Sequence, residues 1–120
     1  MKKKYIISRY SGTKREVKFN TRVARVMAKL ALDDGYMPVV PHIYFTQFLD
    51  DNNYYDHLKG TEIGLDLLAI CDSATIVIID GCISTGMAAE IDLTKKLGIP
   101  TITFEFTKAE IKKLLRESGV

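Results

Sequence analysis

Apolar and polar positions along the chain fall into two rhythms, short runs of β-favouring residues and longer stretches at helical spacing. Lys4-Tyr5-Ile6-Ile7-Ser8 is a short run of the first kind, ended by the glycine-containing loop Arg9-Tyr10-Ser11-Gly12-Thr13. Asn20 then stands as an N-cap for a helix whose Val23, Val26, Met27, Leu30 and Ala31 recur at the spacing of one buried face. Gly35 supplies the left-handed residue that commonly closes a helix, and Met37-Pro38-Val39-Val40 follows as a second strand, stopped by Pro41. From His42 to Tyr55 the pattern is irregular and aromatic, with Tyr44, Phe45, Phe48, Tyr54 and Tyr55 around Asp50-Asp51-Asn52-Asn53; a stretch this long without periodicity reads as a functional loop.

Residues 56–71 return to helical spacing through Leu58, Leu65, Leu68 and Cys71, although Gly60 and Gly64 weaken that segment as a helix. Ala74-Thr75-Ile76-Val77-Ile78-Ile79 is the strongest strand. It is apolar throughout rather than alternating, as expected when helices cover both faces of a parallel sheet. A helix is expected from about 87 to 97, ending at Gly98, with Pro100-Thr101-Ile102-Thr103-Phe104 as the next strand. Thr107-Lys108-Ala109-Glu110 has the form of a capping box and opens a last helix to about Glu117.

Strand–helix alternation implies a parallel sheet with right-handed crossovers. The expected architecture is a three-layer, flavodoxin-like α/β fold of four to five strands, ordered 2-1-3-4, with helices on both faces and residues 1–120 forming a single domain. Ligands of such sheets bind beyond the carboxyl ends of the strands, where strand order reverses. That places Ser8–Thr13, Val40–Asp51 and Asp80–Glu90 on one rim.

Composition narrows the class. With 120 residues, 47% apolar and 27% charged, the chain is ordinary for a globular protein, and disorder along its whole length is excluded. No apolar run approaches the roughly 18–20 residues of a membrane span, and the basic start Met1-Lys2-Lys3-Lys4 is followed by too short an apolar stretch for a signal peptide. Cys71 and Cys82 fit neither a zinc pattern nor a disulfide framework, so a reduced, cytoplasmic protein is expected. Net charge is only +2 but unevenly spread: residues 1–30 carry +9 and residues 31–120 carry −7. A nucleic-acid face is one reading of that asymmetry. Pairing of the basic third with the acidic remainder is the favoured one, because no stacking aromatics accompany the basic residues.

Several residues on the rim carry chemistry, each with a plainer role beside it. Ser84-Thr85-Gly86, between strand and helix, offers backbone N–H groups and a helix dipole to a phosphate or to sugar hydroxyls, yet is also an ordinary connection. Glu90 lies four residues beyond Gly86, either facing the cleft or serving as a favourable early-helix acid. Asp80, at the carboxyl end of the central strand, is better placed for binding or acid–base work than Asp72, which also suits a simple helix end. His42 is a candidate hydrogen-bond partner and Tyr10 a candidate stacking ring, and both also suit packing.

Taken in order, Tyr5-Ile6-Ile7-Ser8-Arg9-Tyr10-Ser11-Gly12, Asn20, Gly35 to His42, Phe48-Leu49-Asp50-Asp51, Gly64 to Leu68 with Cys71-Asp72, Ile83 to Ile91 and Leu97-Gly98-Ile99-Pro100 resemble the nucleoside 2-deoxyribosyltransferase-like superfamily, closest to its small phage and bacterial branch. The resemblance spans nearly the whole chain. It matches Gly86-Met87-Ala88-Ala89-Glu90 to the family's Gly-Thr-x-x-Glu stretch and so implies Glu90 as the nucleophile, in chemistry like that of retaining glycosidases. It implies Asp72 as an acid that orients or protonates the base. Ser8, Tyr10 and Gly12 match the first ligand loop, and Ser84 and Gly86 match positions that hold a 5′-hydroxyl or phosphate.

Met87 departs from the family's threonine, and Ser84 stands where transferases carry a sugar-binding aspartate. A serine there is the more compatible with a nucleoside monophosphate, for which Arg9 would add charge. The function implied is cleavage of the N-glycosidic bond of a nucleoside or nucleoside monophosphate, by transfer or hydrolysis, with no metal or cofactor expected. The alternatives are a non-catalytic binder or sensor of a nucleotide-like ligand, or a partner-binding protein on the same fold. The partners expected are that small molecule and further copies of the chain, as a dimer or tetramer burying the aromatic 44–55 loop, with neither membrane nor nucleic acid.

Overall fold

The computed structural model describes residues 1–120. In chain order the elements are β1 (Lys3–Ile7), α1 (Lys14–Asp33), β2 (Met37–Val39), α2 (Pro41–Tyr44) with a following 3₁₀ turn (Phe45–Gln47), α3 (Tyr54–Ala69), β3 (Ser73–Ile79), α4 (Thr85–Leu97), β4 (Thr101–Phe106) and α5 (Lys108–Ser118). Four strands form one parallel sheet in the order β2-β1-β3-β4, the expected flavodoxin-like arrangement.

Strand alternation divides the core into two layers. Tyr5 and Ile7 of β1 and Ala74, Ile76 and Ile78 of β3 face α3 and α4, where Leu68, Cys71 and Met87 meet them. Ile6 and Val77 point the other way, onto Val23, Val26, Met27 and Ala31 of α1 and Ile111 and Leu115 of α5. Both faces of β3 are therefore buried, which is why its sequence is apolar throughout. Each fully buried aliphatic side chain contributes roughly 1.5–3 kcal/mol relative to exposure.

Two elements differ from the sequence expectation. Helix α1 begins six residues before Asn20: Thr13 is its N-cap, in a capping box with Glu16. The first helical turns, Lys14 to Lys18, are mostly charged and show no apolar period, so the cap two turns upstream is masked. Asn20 is instead buried within the helix, its Nδ2 donating to the Tyr10 carbonyl at 3.0 Å. The 42–55 stretch is not a plain loop. Pro41 opens the short α2, and Asn53 caps α3 by accepting from the Asp56 N–H at 3.1 Å. A helix of four residues is too short to leave a periodic signature. No helix is long and apolar enough to cross a membrane.

Candidate active site

The cleft opens where the topology reverses, between the loop after β1, the α2–α3 segment and the start of α4. Helix α4 is set by its first residues. Ser84 accepts from the Met87 N–H at 3.2 Å as N-cap, and the buried Met87 side chain anchors that turn in the core. Glu90, three residues on, is then carried inward on nearly the same helical face, while Gly86 and Ala89 leave the approach to it open.

Glu90 meets Tyr5. The Tyr5 hydroxyl, on a residue only 2% exposed, donates to Glu90 Oε2, while no group engages Oε1. Gly64 of α3 completes the fit: a Cβ there would stand 3.2 Å from Tyr5 Oη and 3.9 Å from Glu90 Oε2. Burial pushes the Glu90 carboxyl up to about 7, against the opposing effect of the Tyr5 hydrogen bond. Burial first, and the Glu90 charge second, hold the Tyr5 hydroxyl protonated well above its usual range.

Polar ties shape the rest of the wall. His42 Nε2 lies 3.3 Å from Ser8 Oγ, and its ring sits 5.5 Å from that of Tyr10 at a 36° tilt. Burial pushes the His42 imidazole down to about 4, so the ring is neutral near pH 7. At the mouth, Asp51 accepts from Ser11 Oγ at 3.2 Å and pairs with His57 Nδ1 at 2.9 Å, linking the first loop to α3.

Of the residues singled out from sequence, Glu90, Gly86, Tyr10 and His42 come together in this cleft, with Ser8 behind His42. Others do not. Asp72 precedes β3 at the amino-terminal edge of the sheet, where its Oδ2 accepts from the Lys3 N–H at 2.7 Å; it lines no part of the cleft and cannot protonate a base there. Asp80 turns away as well. Held at φ 52°, it accepts from the Lys108 N–H at 3.0 Å, the first N–H of α5 after its Thr107 cap, on the opposite face. The Ser84 hydroxyl is engaged by its own helix, and Gly12, at φ 152°, serves a turn packed against Glu16. The residues missed were Tyr5, Gly64, Asp56, Thr61 and His57, whereas Asp51 ends the rim segment Val40–Asp51 expected from the sequence. For Tyr5 a signal existed: a phenol in a buried strand requires a partner for its hydroxyl.

The charge lining is one-sided. Asp51, Asp56 and Glu90 line the cleft and no lysine or arginine does. Arg9 and Lys108 sit instead with Ser8, Asn20 and Asp80 around a separate hollow beside α1 and α5.

Comparison with known proteins agrees with this architecture. No curated protein matches the sequence. Among solved structures, the chain is similar to the 2-deoxyribosyltransferase of the psychrotolerant bacterium Bacillus psychrosaccharolyticus, described as a biocatalyst for nucleoside synthesis. The TM-score is 0.68 at 19% identity, over 86% of this chain and 72% of that one, a shared fold. Residues 2–104 match a family profile described as a domain of unknown function, DUF7768, and the chain belongs to that family.

Proposed function

We propose that this protein cleaves the N-glycosidic bond of an unphosphorylated nucleoside, with Glu90 as nucleophile. The observation that carries the reading is the pairing of Glu90 with the buried Tyr5 hydroxyl at the topological switch point, in a cleft lined by no lysine or arginine. The fold shared with a 2-deoxyribosyltransferase supports the same chemistry. The absence of lysine and arginine favours a nucleoside over the monophosphate.

In the first step Glu90 Oε1 attacks the anomeric carbon. The carbon–nitrogen bond breaks, its electron pair leaves on the base, and the base takes up a proton from solvent at the cleft mouth, where Asp51 and His57 lie. Tyr5 holds Oε2 and so orients the carboxylate for attack. In the second step water or the nitrogen of another base attacks the same carbon, gives up a proton, and releases the Glu90 carboxylate. Tyr10 and His42 form the wall against which the planar base packs. Self-association belongs to the proposal: Tyr44, Phe48, Tyr54 and Tyr55 are exposed near the cleft mouth, an apolar cluster suited to burial against another copy.

The test is free-base release from a panel of nucleosides and their monophosphates, by chromatography, with and without an acceptor base. Release from nucleosides by wild type and not by Glu90→Gln is the expected result. Ligand-dependent thermal stabilisation without release from any substrate would replace the enzyme with a binding protein. Preference for monophosphates would overturn the assignment of the substrate class.

A further inference from the structure

The outer edge of the sheet carries an inference independent of the cleft. Strand β4 is the last in the order β2-β1-β3-β4, so one side of it has no neighbour. The Pro100 and Phe106 carbonyls accept from Ala74 and Asp80 of the β3 side. By alternation the N–H and C=O groups of Thr101, Thr103 and Glu105 point outward, away from β3. Edges of this kind template further strand pairing unless charged side chains, proline or a bulge blunt them; Thr101–Phe106 has no lysine, proline or bulge, and Glu105 is its single charge. Its apolar side chains are also uncovered, Ile102 at 53% and Phe104 at 44% exposure.

We propose that β4 pairs antiparallel with β4 of a second copy of this chain, joining two sheets into one of eight strands about a two-fold axis at Thr103. The strand is complementary to itself in that register. Thr101, Thr103 and Glu105 share the face of Ala74, Ile76 and Ile78, whereas Ile102 and Phe104 share the face of Thr75 and Val77. Centring on Thr103 therefore sets Ile102 against Phe104 of the partner subunit twice over, an aromatic–β-branched pair of the favourable kind. It also sets Glu105 against Thr101 of the partner subunit. Lys95 of α4 lines the groove beside Thr101 and Thr103 and makes no ion pair within its own chain. Each Glu105 is thus brought to an unpaired lysine across the axis. Self-complementarity of one patch is what an isologous dimer requires, and it favours a second copy over a foreign peptide.

The experiment is sedimentation velocity on the full chain at micromolar to hundred-micromolar concentration, wild type beside Thr103→Pro and Ile102→Lys. The proline removes an outward N–H and leaves the ladder to β3 intact. Expected is a fall to half the wild-type mass in both variants, with unchanged circular dichroism; any association through Tyr44 and Phe48 is untouched by either substitution. Thr103→Cys in a Cys82→Ser background keeps the proposal falsifiable if those variants misfold. Antiparallel partners lie about 5.5 Å apart between Cα atoms, within disulfide reach, so air oxidation should cross-link most of the protein. A wild-type monomer throughout overturns the proposal. So does a dimer that survives both edge variants and gives no cross-link with Thr103→Cys. In the second case a variant of Tyr44 and Phe48 would be expected to dissociate it instead.

Discussion

The Tyr5 hydroxyl of β1 donates its hydrogen bond to Glu90 Oε2 of α4, across 85 residues of sequence. That bond lowers the Glu90 carboxyl against the larger upward push of burial. Removing the donor while keeping the ring, Tyr5→Phe, therefore moves Glu90 upward from about 7. Carbon-detected NMR of the Glu90 carboxyl is the direct measurement, and a midpoint above the wild-type one is expected. If Glu90 is the nucleophile, the acid limb of the pH–rate profile moves up with it, because only the carboxylate attacks. A carboxyl that titrates as in wild type would show that the hydroxyl does not act on it.

Replacing Glu90 itself has a stability consequence that does not depend on activity. A carboxyl raised from 4.5 to about 7 on folding favours the folded state most when it is protonated. Its contribution is fully present below the unfolded value and is lost as pH rises through about 7. Glutamine keeps the acceptor for Tyr5 and does not titrate. Glu90→Gln should therefore gain stability over wild type as pH rises from 5 to 8, by up to roughly 3 kcal/mol at the alkaline end. Urea unfolding at several pH values reads this directly, and a difference that stays flat with pH would refute the buried-carboxylate assignment.

What the sequence conveyed about this site followed from how far each signal reaches along the chain. The continuous apolar run of β3 and the glycine at Gly98, here at φ 68°, are local, so strands, helix ends and sheet order were legible. Glu90, Gly86, Tyr10 and His42 were legible because the switch-point rule and the resemblance both act through loops that follow strands. Tyr5 was not, since its position in an apolar run marks it as core. Only the tertiary arrangement brings its hydroxyl to Glu90. Asp80 failed for a related reason: residues at a strand's carboxyl end choose between two faces of the sheet, and its left-handed turn sends the carboxylate to the Lys108 N–H.

His42 supplies the opposite titration. Burial depresses its imidazole from 6.5 to about 4, so the folded state excludes the charged ring. Stability linked to this group is complete above pH 6.5 and is lost as pH falls toward 4, up to roughly 3 kcal/mol. His42→Asn should flatten that acid limb while lowering stability near neutrality, since the ring also packs on Tyr10. Proton NMR of the imidazole from neutral pH down past its midpoint provides the check: a midpoint near 6.5 would place His42 in water.

Gly64 isolates the shape of the cleft from its charge. In a helix interior, glycine is worth about 1 kcal/mol less than alanine, so Gly64→Ala gains in propensity. Against that gain, the new methyl meets Tyr5 Oη at 3.2 Å, closer than an unstrained contact, and the buried phenol must tilt. The two effects nearly offset in stability, and the melting temperature should move by no more than about 3 °C. The site is hit harder. Tilting the phenol loosens its hold on Oε2, which raises the Glu90 carboxyl and spoils the alignment of Oε1. A fall of about tenfold in kcat/KM, roughly 1.4 kcal/mol of transition-state stabilisation, is the expected outcome. Gly60 lines the same helix wall, and its Cβ would meet only Leu49 Cδ1, at 3.8 Å. Gly60→Ala is therefore the matched control, gaining the same propensity without touching Tyr5. Equal losses of activity in the two variants would show that α3 matters as a helix and not through the space that Gly64 leaves beside the tyrosine.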